Sequence, residues 1–152
     1  MDVYRIFKKY KLKIKNDQIF DPIRKKFVAL TPEERVRQQT IQFLLQNMKV
    51  PPDRLGVEVG LSTLGAKGNR KRIDICIFDE ANNLCGIVEC KAYNTQYIDA
   101  PFQQALDYVV TIGARCYFVA DGQDLFGYYY DPHNDQFVQI ESVPSYEEIL
   151  QF

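Results

Sequence analysis

Apolar residues recur along this chain in short alternating runs bounded by turn formers, with two longer stretches at helical spacing between them. Lys11 to Lys15 and Gln18 to Phe20 predict a strand pair broken at Asn16-Asp17, and Lys26 to Ala29 a further strand. Thr31 is placed to cap a helix, Pro32 to open it and Glu34 to close a capping box, with Val36, Ile41, Leu44 and Met48 as apolar surface to about Asn47. Gly56 to Leu61 reads as the strand that opens a central sheet. Arg72 to Asp79 and Leu84 to Lys91 then form a hairpin through Glu80-Ala81-Asn82-Asn83. Asp99 to Ile112 predicts a second helix, with Pro101 in its first turn and Gly113 as its stop. Cys116 to Ala120 and Leu125 to Tyr130 are further strands, Asp131 to Asp135 a reversal, and Ser145-x-x-Glu148 the capping box of a short terminal helix.

The hairpin carries the candidate chemistry. With Asp79 facing Leu84, antiparallel pairing sets Asp74 opposite Glu89, and side-chain alternation turns Lys91 the same way as Glu89. Carboxylates directly opposed across a ladder repel unless something positive lies between them. Hard oxygen ligands suit Mg²⁺, which takes one or two protein carboxylates and completes its shell with water and phosphate oxygens. Mn²⁺ fits the same ligands. The competing reading is a solvated Glu-x-Lys ion pair worth about 0–1 kcal/mol. Ile73, Ile75 and Ile77 on one face, with Cys76 and Phe78 on the other, favour the chemical reading, because they bury both faces and a buried acid needs a partner.

With 152 residues and 46% hydrophobic composition, the chain suits one domain spanning 1–152. No run fits a signal peptide or a membrane span, so a soluble cytoplasmic protein is expected. Cys76, Cys85, Cys90 and Cys116 sit in apolar strand segments without metal-ligand spacing, and His133 lies in a turn; free buried thiols are expected rather than zinc. The net charge of −1 hides an asymmetry: residues 1–76 hold 17 Lys and Arg against 8 Asp and Glu, and residues 77–152 hold 2 against 12. The basic half is the candidate nucleic-acid face, although the halves can also neutralise one another. Gly60-x4-Gly65 lacks the Gly-Lys-Ser/Thr of a triphosphate-binding loop. Instead Lys67, Arg70, Lys71 and Arg72 make a glycine-spaced basic loop leading into Asp74, suited to gripping phosphate. Gln104 and Tyr108, four apart, share a helical face and can bond a phosphate, a base edge or the lysine; packing of the Tyr ring beside Ala105 is the competing reading.

Glu34 on an early helix, Asp74 on a strand, Glu89-x-Lys91 on the next and Gln104-x-x-x-Tyr108 on the following helix resemble the PD-(D/E)xK nuclease superfamily. Asp21 to Lys26, Leu30 to Gln38 and Val88-Glu89-Cys90-Lys91-Ala92 look more narrowly like the N-terminal nuclease domain of type I restriction enzyme R subunits, over about residues 20–130. The resemblance implies an α/β fold with a restriction-endonuclease-like mixed central sheet flanked by helices. It implies Asp74 and Glu89 as Mg²⁺ ligands, Glu34 as an acid that can join them, Lys91 as the catalytic lysine, and Gln104 and Tyr108 as positioning groups. Ile73 stands where the superfamily usually writes proline, and the chain to Phe152 holds no nucleotide-binding motif, so separate motor or specificity subunits are the expected partners besides DNA. The expected activity is metal-dependent DNA hydrolysis. A weakly active or inactive DNA-binding or partner-docking module on the same fold is the alternative.

Overall fold

A computed structural model describes residues 4–5, 10–68, 70–92 and 111–152. Helix α1, Pro32–Gln46, begins where the sequence places it: the Thr31 side chain accepts the Glu34 amide at 3.0 Å, and Pro occupies the first turn. Its Val36, Ile41, Phe43 and Leu44 are buried in one core together with Met48. Each such side chain contributes roughly 1.5–3 kcal/mol of burial.

The strands divide between two sheets. β2 (Ile14–Lys15), β3 (Gln18–Asp21) and β4 (Lys26–Ala29) form a three-stranded antiparallel sheet. The larger sheet contains β1 (Tyr4–Arg5), β5 (Leu55–Gly60), β6 (Arg72–Phe78), β7 (Leu84–Cys90), β8 (Cys116–Ala120), β9 (Asp124–Asp131) and β10 (Gln136–Gln139). Its order is β1-β9-β8-β7-β6-β5, with β10 also on β9. β7 and β8 run parallel while the other pairs are antiparallel, which makes the sheet mixed. A parallel pair demands a crossover. The helix expected over Asp99–Ile112 falls in that crossover, where residues 93–110 lie outside the described residues; Thr111 and Ile112 are helical, and Gly113 follows at φ +79°. The terminal helix α2, Tyr146–Ile149, carries the capping box of Ser145 and Glu148. This is the restriction-endonuclease-like α/β architecture that the sequence implies.

Two apolar cores cover the faces of the large sheet. Ile75, Ile77, Val88 and Cys90 join the core beneath α1, and Cys76, Ile87, Tyr117 and Val119 the opposite one. Ile73 departs from expectation, because it packs with Cys76 in the second core rather than with Ile75. The break falls at Asp74. There β5 and β6 pair as Val57↔Ile75 and Val59↔Ile73 with no pair between them, and the intervening Glu58 adopts φ +56°. All four cysteines are free and buried, and burial pushes the Cys76 thiol up to about 12. No helix among the described residues is long and apolar enough to cross a membrane.

Candidate active site

The hairpin brings Asp74 and Glu89 together by a route different from the expected one. Phe78, not Asp79, faces Leu84, and the register then shifts so that Ile77 pairs with Gly86 and Ile75 with Val88. Cys85 is the extra residue of this bulge. Past it the pairing runs in step and carries Asp74 and Glu89 to neighbouring positions on the two strands.

Asp74 is 8% exposed, and its oxygens have separate partners. Oδ2 accepts the Cys90 amide at 2.8 Å, and Oδ1 accepts Nη2 of Arg37 at 2.7 Å. Glu89 is half-buried. Desolvation first, then the charge and hydrogen bond of Asp74, raise its pKa to about 8 against the lowering pull of Lys91. Glu89 is therefore held towards its protonated form near neutrality. Lys91 is half-buried, its backbone amide is fixed on Ala120 O at 2.7 Å, and its ammonium acts electrostatically on both Glu89 and Glu33.

Arg37 was not singled out from the sequence, yet it is the hub of the site. Its guanidinium reaches Glu34 Oε1, Glu58 Oε1 and Asp74 Oδ1, each at 2.7 Å, and Glu33 Oε1 at 3.8 Å. Burial works against its charge, but the Asp74 bond and the surrounding carboxylates prevail and raise its pKa. Its Nε has no partner among the described residues. Glu58 was missed for a simple reason: Val57-Glu58-Val59 reads as an outward strand residue between two apolar ones. Arg37 carried a weak signal, standing three residues after Glu34 on a helix face otherwise read as apolar.

Glu34 does not complete the expected capping box. Its carboxylate is drawn away by Arg24 Nη2 and Arg37 Nη1, both 2.7 Å from Oε1, and by Gln38 Nε2 at 3.2 Å from Oε2. Arg24 in turn holds Asp21 at 2.5 Å, and Asp21 is fully buried and also accepts the Ile23 and Arg24 amides. Alternating charges thus connect the three-stranded sheet to Asp74 through Asp21, Arg24, Glu34 and Arg37.

Lys67, Arg70, Lys71 and Arg72 are all exposed on the segment entering β6. Gln104 and Tyr108 lie outside the described residues. Among the described residues, no three His, Cys, Asp or Glu side chains stand close enough to share a metal ion. Asp74 and Glu89 remain as a two-carboxylate donor set.

Residues 32–144 match the family described as the type I restriction enzyme R protein N terminus. The chain belongs to that family. None of the curated proteins compared with it matches. The family match takes in Glu34, Arg37, Glu58, the basic loop, Asp74, Glu89 and Lys91, while Asp21 and Arg24 precede it. The three-stranded sheet precedes the matched span.

Proposed function

We propose that this R-protein N-terminal domain is a Mg²⁺-dependent deoxyribonuclease of the PD-(D/E)xK type. The observation that carries the reading is the placement of Asp74 and Glu89 at neighbouring positions on the paired strands β6 and β7, where each acts on the other's charge and Lys91 acts on Glu89. Two neighbouring acids, one of them desolvated enough to favour its protonated form, fit a divalent ion, which needs one or two such carboxylates. Asp74 and Glu89 would hold it, and Mn²⁺ satisfies the same oxygens; Glu34, engaged by Arg24 and Arg37, stands behind them. When bound, such an ion supplies Lewis acidity at the scissile phosphate and lowers the pKa of water.

The remaining work falls to the chain itself. Lys91 orients the attacking water and offsets charge gathering on the phosphate oxygens. Arg37 fixes Asp74 Oδ1, leaving the side of the carboxylate next to Glu89 for the ion. Lys67, Arg70, Lys71 and Arg72 grip the DNA backbone as it enters, and Gln104 and Tyr108 position substrate and lysine. Separate motor or specificity subunits are the protein partners this reading expects, and the cytoplasm its place.

DNA cleavage in Mg²⁺ or Mn²⁺ tests the reading, comparing wild type with Asp74→Ala, Glu89→Gln and Lys91→Ala. Turnover should need the metal and fall at least a hundredfold in each variant. Metal-dependent cleavage that survives Asp74→Ala would end the proposal. The second reading, a DNA-binding or docking module without turnover, draws on the same Arg37–Asp74 bond, because a guanidinium already neutralises that carboxylate. DNA binding with no cleavage in either metal would favour it.

A further inference from the structure

The three-stranded sheet presents a second surface, N-terminal to the family-matched span. Its pairing Ile19↔Val28 puts Ile19 on the buried side with Asp21, while Phe20↔Phe27 belongs to the opposite side. The Phe20 amide donates to Lys13 O at 2.8 Å, which sets Lys13 beside the aromatic pair, and Lys15↔Gln18 lies on the same side. The Phe20 and Phe27 ring centroids are 5.3 Å apart and inclined at 59°. Neither ring is among the described residues that make up the two cores, and both stay partly open to solvent. Lys13 Nζ stands 5.2 Å from one centroid and 5.6 Å from the other. Lys15 is exposed on the side of the rings, Lys25 is exposed in the turn that joins β3 to β4, and Lys26, paired with Asp21, belongs to the other side.

We propose that this sheet is a stacking platform for single-stranded nucleic acid, with Phe20 and Phe27 receiving bases and the lysines receiving phosphates. The magnitudes favour an occupant over a closed Lys13–aromatic contact. An exposed cation–π contact is worth about 0.5–1 kcal/mol, whereas a base stacked on an aromatic ring contributes about 1–3 kcal/mol. A base can therefore displace the Lys13 ammonium, which remains near enough to meet the adjoining phosphate. A duplex hides its bases' faces and gains nothing from the rings. The Asp21–Arg24–Glu34–Arg37 chain fixes the platform relative to Asp74, so a strand held there stands in constant relation to the candidate site. The assignment extends the nuclease reading by naming an unpaired strand as something the domain holds, but binding itself requires neither metal nor turnover.

Fluorescence anisotropy of the full chain with a labelled oligothymidine in EDTA tests it separately from catalysis. Wild type should bind the single strand more tightly than a duplex of equal length. The double variant Phe20→Leu/Phe27→Leu should lose at least tenfold in affinity with its salt dependence unchanged. Phe20→Tyr/Phe27→Tyr, which keeps the rings, should bind like wild type, which separates stacking from a folding defect. Lys13→Gln and Lys15→Gln should each lower the slope of log affinity against log salt by about 0.7. Wild-type affinity in a folded Leu variant, equal binding of duplex, or no single-strand binding by wild type would overturn the platform. Single-strand binding without metal-dependent cleavage would sink the nuclease reading and leave the platform standing.

Discussion

Replacing Arg37 with Met removes a buried cation while nearly keeping its volume, and so isolates what the guanidinium does. Four carboxylates lie within 4 Å of it, and two of them, Glu34 and Asp74, are themselves buried. Removing one partner of a buried ion pair costs about 3–5 kcal/mol, since the other charge is left without compensation. Glu33 and Glu58 add little, because their more exposed side chains can turn to water. At about 2–4 °C per kcal/mol for a chain of this size, Arg37→Met should melt on the order of 10 °C below wild type at pH 8. The sign of the pH effect follows from the stranded acids. Without Arg37 they hold protons more tightly in the folded chain than in the unfolded one, so the variant's deficit is full at high pH and shrinks as pH falls towards 5. Calorimetric melting at pH 5 and pH 8, with circular dichroism as a check on the fold, measures both effects. A loss below about 1 kcal/mol at pH 8, or an equal loss at both pH values, would refute the claim that Arg37 neutralises this cluster.

Glu89 yields a prediction of opposite sign for stability and activity. Its folded pKa, raised to about 8 from an ordinary 4.5, makes the metal-free protein lose stability as pH climbs through that window, at up to about 1.4 kcal/mol per pH unit. Glu89→Gln cannot ionise, so in EDTA it should melt higher than wild type at pH 8 and match it near pH 4; equal melting at pH 8 would show that the carboxyl is not desolvated. Gly127→Ala places a methyl 2.7 Å and 2.9 Å from two carbons of the buried Phe118 ring. It should cost about 1–3 kcal/mol by urea unfolding without altering the charged cluster.

The elements were legible where local rules act alone. Thr31-Pro32 announces α1, Ser145-x-x-Glu148 announces α2, and the apolar run Cys116 to Ala120 is the β8 strand to the residue. Local rules fail where distant groups compete for the same atom. Glu34 has the position of a capping-box acid, but two arginines outbid a single backbone amide for its carboxylate. Strand periodicity placed Ile73 with Ile75, and the left-handed backbone of Glu58 on the neighbouring strand reversed it. Asp74 and Glu89 were readable because one hairpin carries both. Arg37 and Glu58 were not, since only tertiary folding sets α1 and β5 against that hairpin.

The bulge at Cys85 acts as a vernier for the whole constellation. Strand side chains alternate with a period of two, so a regular ladder that took Cys85 in opposite Ile77 would slide the rest of β7 by one place and swap its faces. Glu89 and Lys91 would then turn away from Asp74, and Val88 would stand opposite it. Lengthening the exposed Glu80–Asn83 tip leaves this adjustment intact. Natural variation in the hairpin should therefore collect at its tip, where a change of length leaves the two acids in phase.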